Sequence, residues 1–154
     1  MQKTTNLLNQ QLDALLTGET DLTANIANAS ALLNQSLTDI NWAGFYRYMP
    51  ANDELILGPF QGNVACMHIK NGSGVCGAAL TQKKPLRVAD VHQFAGHIAC
   101  DANSRSEIVV PLFKNKQPIG VLDIDSPIVN RFTGDDEEML AEFAEIFVKH
   151  VDLG

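Results

Sequence analysis

The residues best suited to chemistry in this 154-residue chain lie between positions 91 and 111. His92, His97, Cys100, Asp101, Arg105 and Glu107 stand there, ahead of the apolar run Ile108-Val109-Val110. Reactive side chains on a loop that feeds a rigid strand are a common way to build a site. A cysteine in such a loop has two readings. Beside a histidine or arginine its thiol ionises more readily and becomes a nucleophile. Without such a neighbour it is a small, inert hydrophobe. Spacing leaves both open for Cys100, with His97 and Arg105 as the groups that could lower its pKa. Cys66, Cys76 and Cys100 are separated by 10 and 24 positions. That matches neither the close pairs of a zinc site nor a C-x-x-C redox motif, so no metal is expected. For Cys76, between Val75 and Gly77 at a helix start, the inert reading is the attractive one.

The acids Glu107, Asp123 and Asp125 form the second group. Asp123 and Asp125 are two apart in an apolar run, Gly120-Val121-Leu122-Asp123-Ile124-Asp125, and so share one face of a strand. Carboxylates there are costly if buried without partners, and a solvated outer face is the ordinary alternative. Residues 106–113 and 119–124 read as two strands of a hairpin joined through Lys114-Asn115-Lys116-Gln117-Pro118. Glu107 joins the two aspartates on one face only if paired residue numbers sum to an even value. This predicts a loop of odd length, three residues centred on Asn115 or Lys116. A two-residue Asn115-Lys116 turn would put Glu107 on the opposite face.

Trp42 and Tyr46 share a face of a strand expected over 40–48 and could wall a pocket, with plain core as the alternative. Gly72-Ser73-Gly74 resembles an anion-binding helix start, although ordinary turns use the same glycines.

The elements that must position these residues follow from periodicity. Apolar stripes predict helices over 5–16, 21–37 and 134–150. The last has Asp135, Asp136, Glu137 and Glu138 at its start and Lys149 and His150 at its end, as the helix dipole favours. A short helix is expected over 75–82. Further strands are expected at 55–57, stopped by Gly58-Pro59, and at 65–69 and 86–88, with a long loop over 90–105. Helices at both ends around roughly six antiparallel strands give an α+β architecture in one domain, 1–154.

Bulk properties narrow the function. A formal charge of −7 and the absence of a basic stripe argue against nucleic acid. No apolar run approaches the roughly 20 residues that span a bilayer, and the first residues lack a signal-peptide core, so a cytoplasmic protein is expected. Three cysteines in that compartment do not suggest a static disulfide framework.

Several motifs occur in order. They are Asn41-Trp42-Ala43-Gly44-Phe45-Tyr46, Leu57-Gly58-Pro59-Phe60-Gln61-Gly62, Gly74-Val75-Cys76-Gly77, Gly96-His97-Ile98-Ala99-Cys100-Asp101, Ser104-Arg105-Ser106-Glu107 and Gly120-Val121-Leu122-Asp123-Ile124-Asp125-Ser126. Together they closely resemble the free methionine-(R)-sulfoxide reductases, which are single GAF domains. The resemblance implies a central six-stranded antiparallel sheet flanked by N- and C-terminal helices, often in a homodimer, and no cofactor. It implies Cys100 as the catalytic cysteine, Cys66 as the resolving cysteine, and Cys76 as a third cysteine that can also enter disulfides. Glu107, Asp123 and Asp125 match the acids of the substrate pocket, with Glu107 also a candidate proton donor; Trp42 and Tyr46 match its aromatic residues. The implied reaction reduces free methionine (R)-sulfoxide through a cysteine sulfenic acid and a disulfide recycled by thioredoxin. A non-catalytic GAF sensor for a small ligand is the alternative. In either case His92 and His97 shape the loop or tune its charges.

Overall fold

The computed structural model describes residues 6–98 and 100–152. Thr5, expected to open the first helix, Ala99 of the cysteine loop, and the outermost residues of the expected 1–154 domain lie outside them. Among the described residues the elements are α1 (Leu7–Leu16), α2 (Leu22–Ser36), β1 (Trp42–Met49), β2 (Glu54–Gly62), β3 (His68–Lys70), α3 (Gly74–Gln82), β4 (Leu86–Val88), β5 (Ser106–Lys114), β6 (Gln117–Ser126) and α4 (Gly134–His150). A single 3-10 turn, Val91–Gln93, interrupts the long loop.

The strands form one antiparallel sheet in the order β3-β2-β1-β6-β5-β4. Alternation along each strand divides two cores. Ala43, Phe45, Ile108, Val110, Leu122 and Ile124 face α1, α2 and α4 and pack on Leu12, Leu33, Phe143 and Phe147. Trp42, Tyr46, Leu55, Val109 and Val121 point the other way, to Val75, Cys76, Ala79 and Leu80 of α3.

Local chemistry sets the helix ends. Asn6 and Asp21 accept hydrogen bonds from the backbone N–H groups of Leu8 and Ala24 at the starts of α1 and α2, at 2.8 and 2.9 Å. Thr133 and Asp136 form a reciprocal capping box at α4. Asp13 of α1 meets Lys149 and His150 at the far end of α4, at 3.2 and 2.6 Å, and ties the two helices together.

Three expectations need correction. First, β2 is not stopped by Gly58-Pro59. It runs through them because the β1–β2 register shifts between Gly44 and Tyr46, so that two residues of β2 are taken up opposite Phe45. A bulge absorbs a proline that could not donate in a regular ladder. Second, the next strand is His68–Lys70 rather than 65–69. Cys66 therefore lies in the connection before β3, not inside a strand.

The third correction concerns the β5–β6 hairpin. Lys114 pairs with Gln117, so the loop is the two-residue turn Asn115-Lys116 and not the odd loop expected. Both residues have positive φ, 53° and 67°, as a type I′ turn requires. That turn alone would separate Glu107 from the aspartates. It does not, because the register shifts between Leu112 and Phe113: Phe113 pairs with Pro118 but Leu112 with Gly120, which leaves Ile119 as an extra residue. The bulge restores the even register, and Glu107 stands opposite Asp125.

Gly120 closes this bulge with φ +155°. A Cβ placed there would lie 2.0 Å from the Tyr46 carbonyl oxygen on the neighbouring β1 strand. Gly120→Ala must push β6 from β1, and we expect urea denaturation to show a loss of about 3 kcal/mol, the upper end of the usual range for overpacking, because the obstacle is backbone.

Candidate active site

The pocket face of the sheet brings the three acids together. Glu107 on β5 is opposite Asp125 on β6, and Asp123 is opposite Val109 on β5 and Gly44 on β1. Glu107 and Asp123 are buried, at 7% and 5% exposure, and Asp125 is half-buried. Trp42 pairs with Asp125 across the strands and packs over the same face. The solvated outer face, the ordinary home of such residues, is not where they are.

These acids and the cysteine loop line one small cavity of about 40 Å³, room for a few waters at roughly one per 10–15 Å³. Trp42, Tyr46, Cys76, Cys100, Glu107, Asp123 and Asp125 all contribute to it. Cys66 is absent from the lining but is bonded to Cys100 as a disulfide, with 5.3 Å between Cα atoms. Cys76 is a free, buried thiol.

Burial, reinforced by the charges of Asp123 and Asp125, pushes the Glu107 carboxyl well above the ordinary carboxylate range. Burial and the neighbouring Asp123 charge do the same to Asp125. Asp123 is raised by burial but held back by hydrogen bonds from Glu107 and Cys76. Like charges confined to one dry site cannot all ionise, so the group retains a proton that an isolated carboxyl would lose. One oxygen of Asp123, Oδ1, is buried and has no hydrogen-bond partner among the described residues. A cationic group of a ligand would satisfy it. Cys76 is pushed up by burial and by the acids around it, which keeps it a thiol. Its sulfur and single carboxylate oxygens of Glu107 and Asp123 lie within 4.8 Å of one another.

The aromatic residues do more than wall the pocket. The Trp42 and Tyr46 rings stack at 5.9 Å, and Phe60 stacks on Trp42 at 5.0 Å. Their polar ends both reach the segment carrying Cys66: Trp42 Nε1 donates to the Asn63 carbonyl at 3.1 Å, and the Tyr46 hydroxyl donates to the Cys66 carbonyl at 3.0 Å. On the opposite side of the disulfide, Asn41 Nδ2 donates to Asp101 Oδ2 and Ser104 Oγ, each at 3.2 Å, and holds the turn after Cys100. Asn41 and Ser104 are not among the residues singled out from the sequence, whereas Asp101 is, as part of the reactive loop. Asn41 could have been noticed from its place beside Trp42, but the contact across 60 residues is set by the fold.

His97 lines the pocket, and burial together with the neighbouring His92 lowers its pKa, so it favours the neutral ring. His92 is exposed and faces Asp90 at 3.4 Å, and Arg105 is exposed and outside the lining. The Ser73-Gly74 helix start does reach the pocket. Gly74, at φ +63°, is covered by Ile98, whose Cδ1 would be 3.1 Å from an added Cβ.

Residues 11–150 match the model of the GAF domain. The chain is 56% identical over 135 residues to the free methionine-R-sulfoxide reductase of Escherichia coli, covering 88% of this chain and 81% of that protein. The chain belongs to this family of GAF-domain oxidoreductases. Solved relatives agree. The structure of fRMsr of Staphylococcus aureus in complex with substrate is 53% identical, with a TM-score of 0.89 over 94% of this chain and 93% of that one. The free methionine-R-sulfoxide reductase of Neisseria meningitidis in complex with its substrate is 40% identical, with a TM-score of 0.90 over 97% and 93%. The antiparallel six-stranded sheet with its four helices is the GAF fold.

Two predictions follow from this geometry. The folded protein holds a proton on the Glu107 cluster where the unfolded chain has already released it. Stability must therefore fall as pH rises from the ordinary carboxylate range toward the raised values. Glu107→Gln removes an ionisable member and should melt higher than the parent at about pH 7, with the gap shrinking toward about pH 4, where unfolded carboxyls also take up protons. Tyr46→Phe deletes the hydroxyl that holds the Cys66 carbonyl. Stopped-flow thiol counting should show slower Cys66–Cys100 closure, by a factor of about ten for one lost hydrogen bond.

Proposed function

We propose that this chain reduces free methionine (R)-sulfoxide to methionine, and that the observation carrying the reading is a redox-capable cysteine pair set beside three carboxyls that retain a proton. The sulfur of a sulfoxide is a weak electrophile until its oxygen is protonated or strongly hydrogen-bonded. The protonated member of Glu107, Asp123 and Asp125 supplies that donor. The Cys100 thiolate then attacks sulfur, the oxygen passes to Cys100, and methionine departs two electrons richer. Cys100 is left as a sulfenic acid. Cys66 attacks it, water leaves, and the Cys66–Cys100 disulfide forms, the bond present in this structure. An external dithiol such as thioredoxin returns both thiols.

The acid that remains ionised binds the substrate's α-ammonium, a role supported by the buried Asp123 Oδ1, which has no partner among the described residues. Trp42 packs against the methyl end. Backbone N–H groups of the 91–105 loop, with the α3 N-terminus that borders the cavity, take the α-carboxylate. Holding both charged ends is what favours the free amino acid over a peptide. Cys76 acts as a buried thiol that donates to Asp123 rather than as a nucleophile.

Racemic free methionine sulfoxide with dithiothreitol is the direct test, with chiral separation of what remains. Loss of the R epimer is expected, and its persistence would refute the reading. Cys100→Ser should abolish turnover. Cys66→Ser should release about one methionine per chain with thioredoxin and then stop, because the attacking thiol survives and its recycling does not.

A further inference from the structure

The reductant must reach a disulfide, and the surface around that bond differs from the rest of the molecule. Among the described residues seven large apolar side chains are exposed: Leu7, Leu15, Val64, Met67, Ile98, Ile128 and Val129. Three of them, Val64, Met67 and Ile98, lie within two positions of a bonded cysteine, and Val64 and Met67 are 85% and 67% exposed. The disulfide brings their two segments together. Isolated apolar residues on a surface need no explanation, but a group of them around a reactive bond does. Methionine is well suited to such a contact because its flexible thioether adapts to a partner's shape.

The chain carries −7, yet residues 61–69 and 91–100 contain no acid and include His68, His92 and His97. Acids stand just outside these segments, with Glu54 facing His68 at 3.2 Å, Asp90 facing His92 at 3.4 Å and Asp101 next to Cys100, so the exposed apolar side chains beside the disulfide, not charge, distinguish this surface. The backbone beneath is held rather than loose: Trp42 and Tyr46 bind the carbonyls of Asn63 and Cys66, which presents Val64 and Met67 on a fixed base.

We propose that Val64 and Met67 form the docking surface for a protein dithiol reductase of the thioredoxin class, and that its thiolate attacks Cys66 Sγ. The proposal rests on the reductase reading above. Cys100 lines the cavity with the acids and Cys66 does not, which decides the sulfur. Attack at Cys66 forms a partner–Cys66 disulfide and breaks the Cys66–Cys100 bond, so Cys100 leaves as a thiolate in the pocket where it next reacts. The partner's second thiolate then attacks its own sulfur of the mixed disulfide and expels Cys66 as a thiolate. The partner ends as a disulfide, two electrons have moved to this chain, and solvent reprotonates Cys66.

The experiment compares wild type with the double variant Val64→Ser/Met67→Ser, driven either by dithiothreitol, which needs no docking surface, or by thioredoxin with its reductase and NADPH. Wild type should turn over with both. The variant should keep its dithiothreitol rate within about twofold and lose about tenfold in kcat/KM for thioredoxin, as loss of a small apolar hot spot does. Thioredoxin lacking its second cysteine should be trapped on Cys66, identified by peptide mapping. Equal losses with both reductants, no loss with either, a wild type that accepts dithiothreitol but not thioredoxin, or trapping on Cys100 would each overturn the docking proposal. So would a variant whose only change is dissociation of a homodimer in light scattering, since a second copy would then be the occupant. A wild type inactive with dithiothreitol defeats the reductase reading itself, and the trapping experiment still reports on docking.

Discussion

Three carboxyl groups held on one sheet face, two of them buried, are the constraint to which the rest of the structure answers. Glu107 faces Asp125 across β5 and β6, with Asp123 one pleat further on. Placing such groups out of water is unfavourable unless they share protons and hydrogen bonds. Here they do both, and Cys76 contributes its thiol to Asp123. The arrangement depends on one extra residue in β6. Without the bulge at Ile119, the type I′ turn would send Glu107 to the helical face, into the apolar layer of Leu33, Phe143 and Phe147.

The cost of the acid site is carried by the other side of the sheet. Alternate residues of the strands that bear the acids, Ile108, Val110, Leu122 and Ile124, are almost fully buried under α1, α2 and α4. Each such side chain contributes about 1.5–3 kcal/mol when removed from water. The sheet is thus anchored by one face and left free to hold chemistry on the other. The disulfide follows the same division. It joins the β2–β3 connection to the β4–β5 loop, not strand to strand, so opening and closing it leaves the ladder intact. Tyr46 and Asn41 are the links between the two systems, each reaching from β1 or its approach to one side of the disulfide.

Much of this was legible along the chain. The α4 helix has its expected limits because acids, apolar stripe and terminal cations all agree on one period. The shared face of Trp42 and Tyr46 follows from a spacing of four in a strand. The pairing of Glu107 with the aspartates was expected for the wrong reason. A parity argument counts residues in a loop, and a bulge within the strand changes that count; Gly120 marks it, but a glycine in a strand also marks a close backbone approach and does not by itself give the register. The continuation of β2 through Gly58-Pro59 was hidden in the same way, since a proline reads as a break until a bulge accommodates it. Asn41 was passed over because its partners are 60 and 63 residues away.

The sequence by itself determined the α+β class, the two helical ends, the order of strands along the chain and the residue types able to do redox and proton chemistry. These depend on local period and on side-chain chemistry, which neighbours in the chain express. Only the tertiary structure decided that Cys100 joins Cys66 and that Cys76 stays a buried thiol against Asp123. It alone decided that three acids share one proton-retaining site instead of lining a wet surface. Those outcomes depend on strand register and burial, and register is settled by how two bulges let both faces of the sheet pack at once.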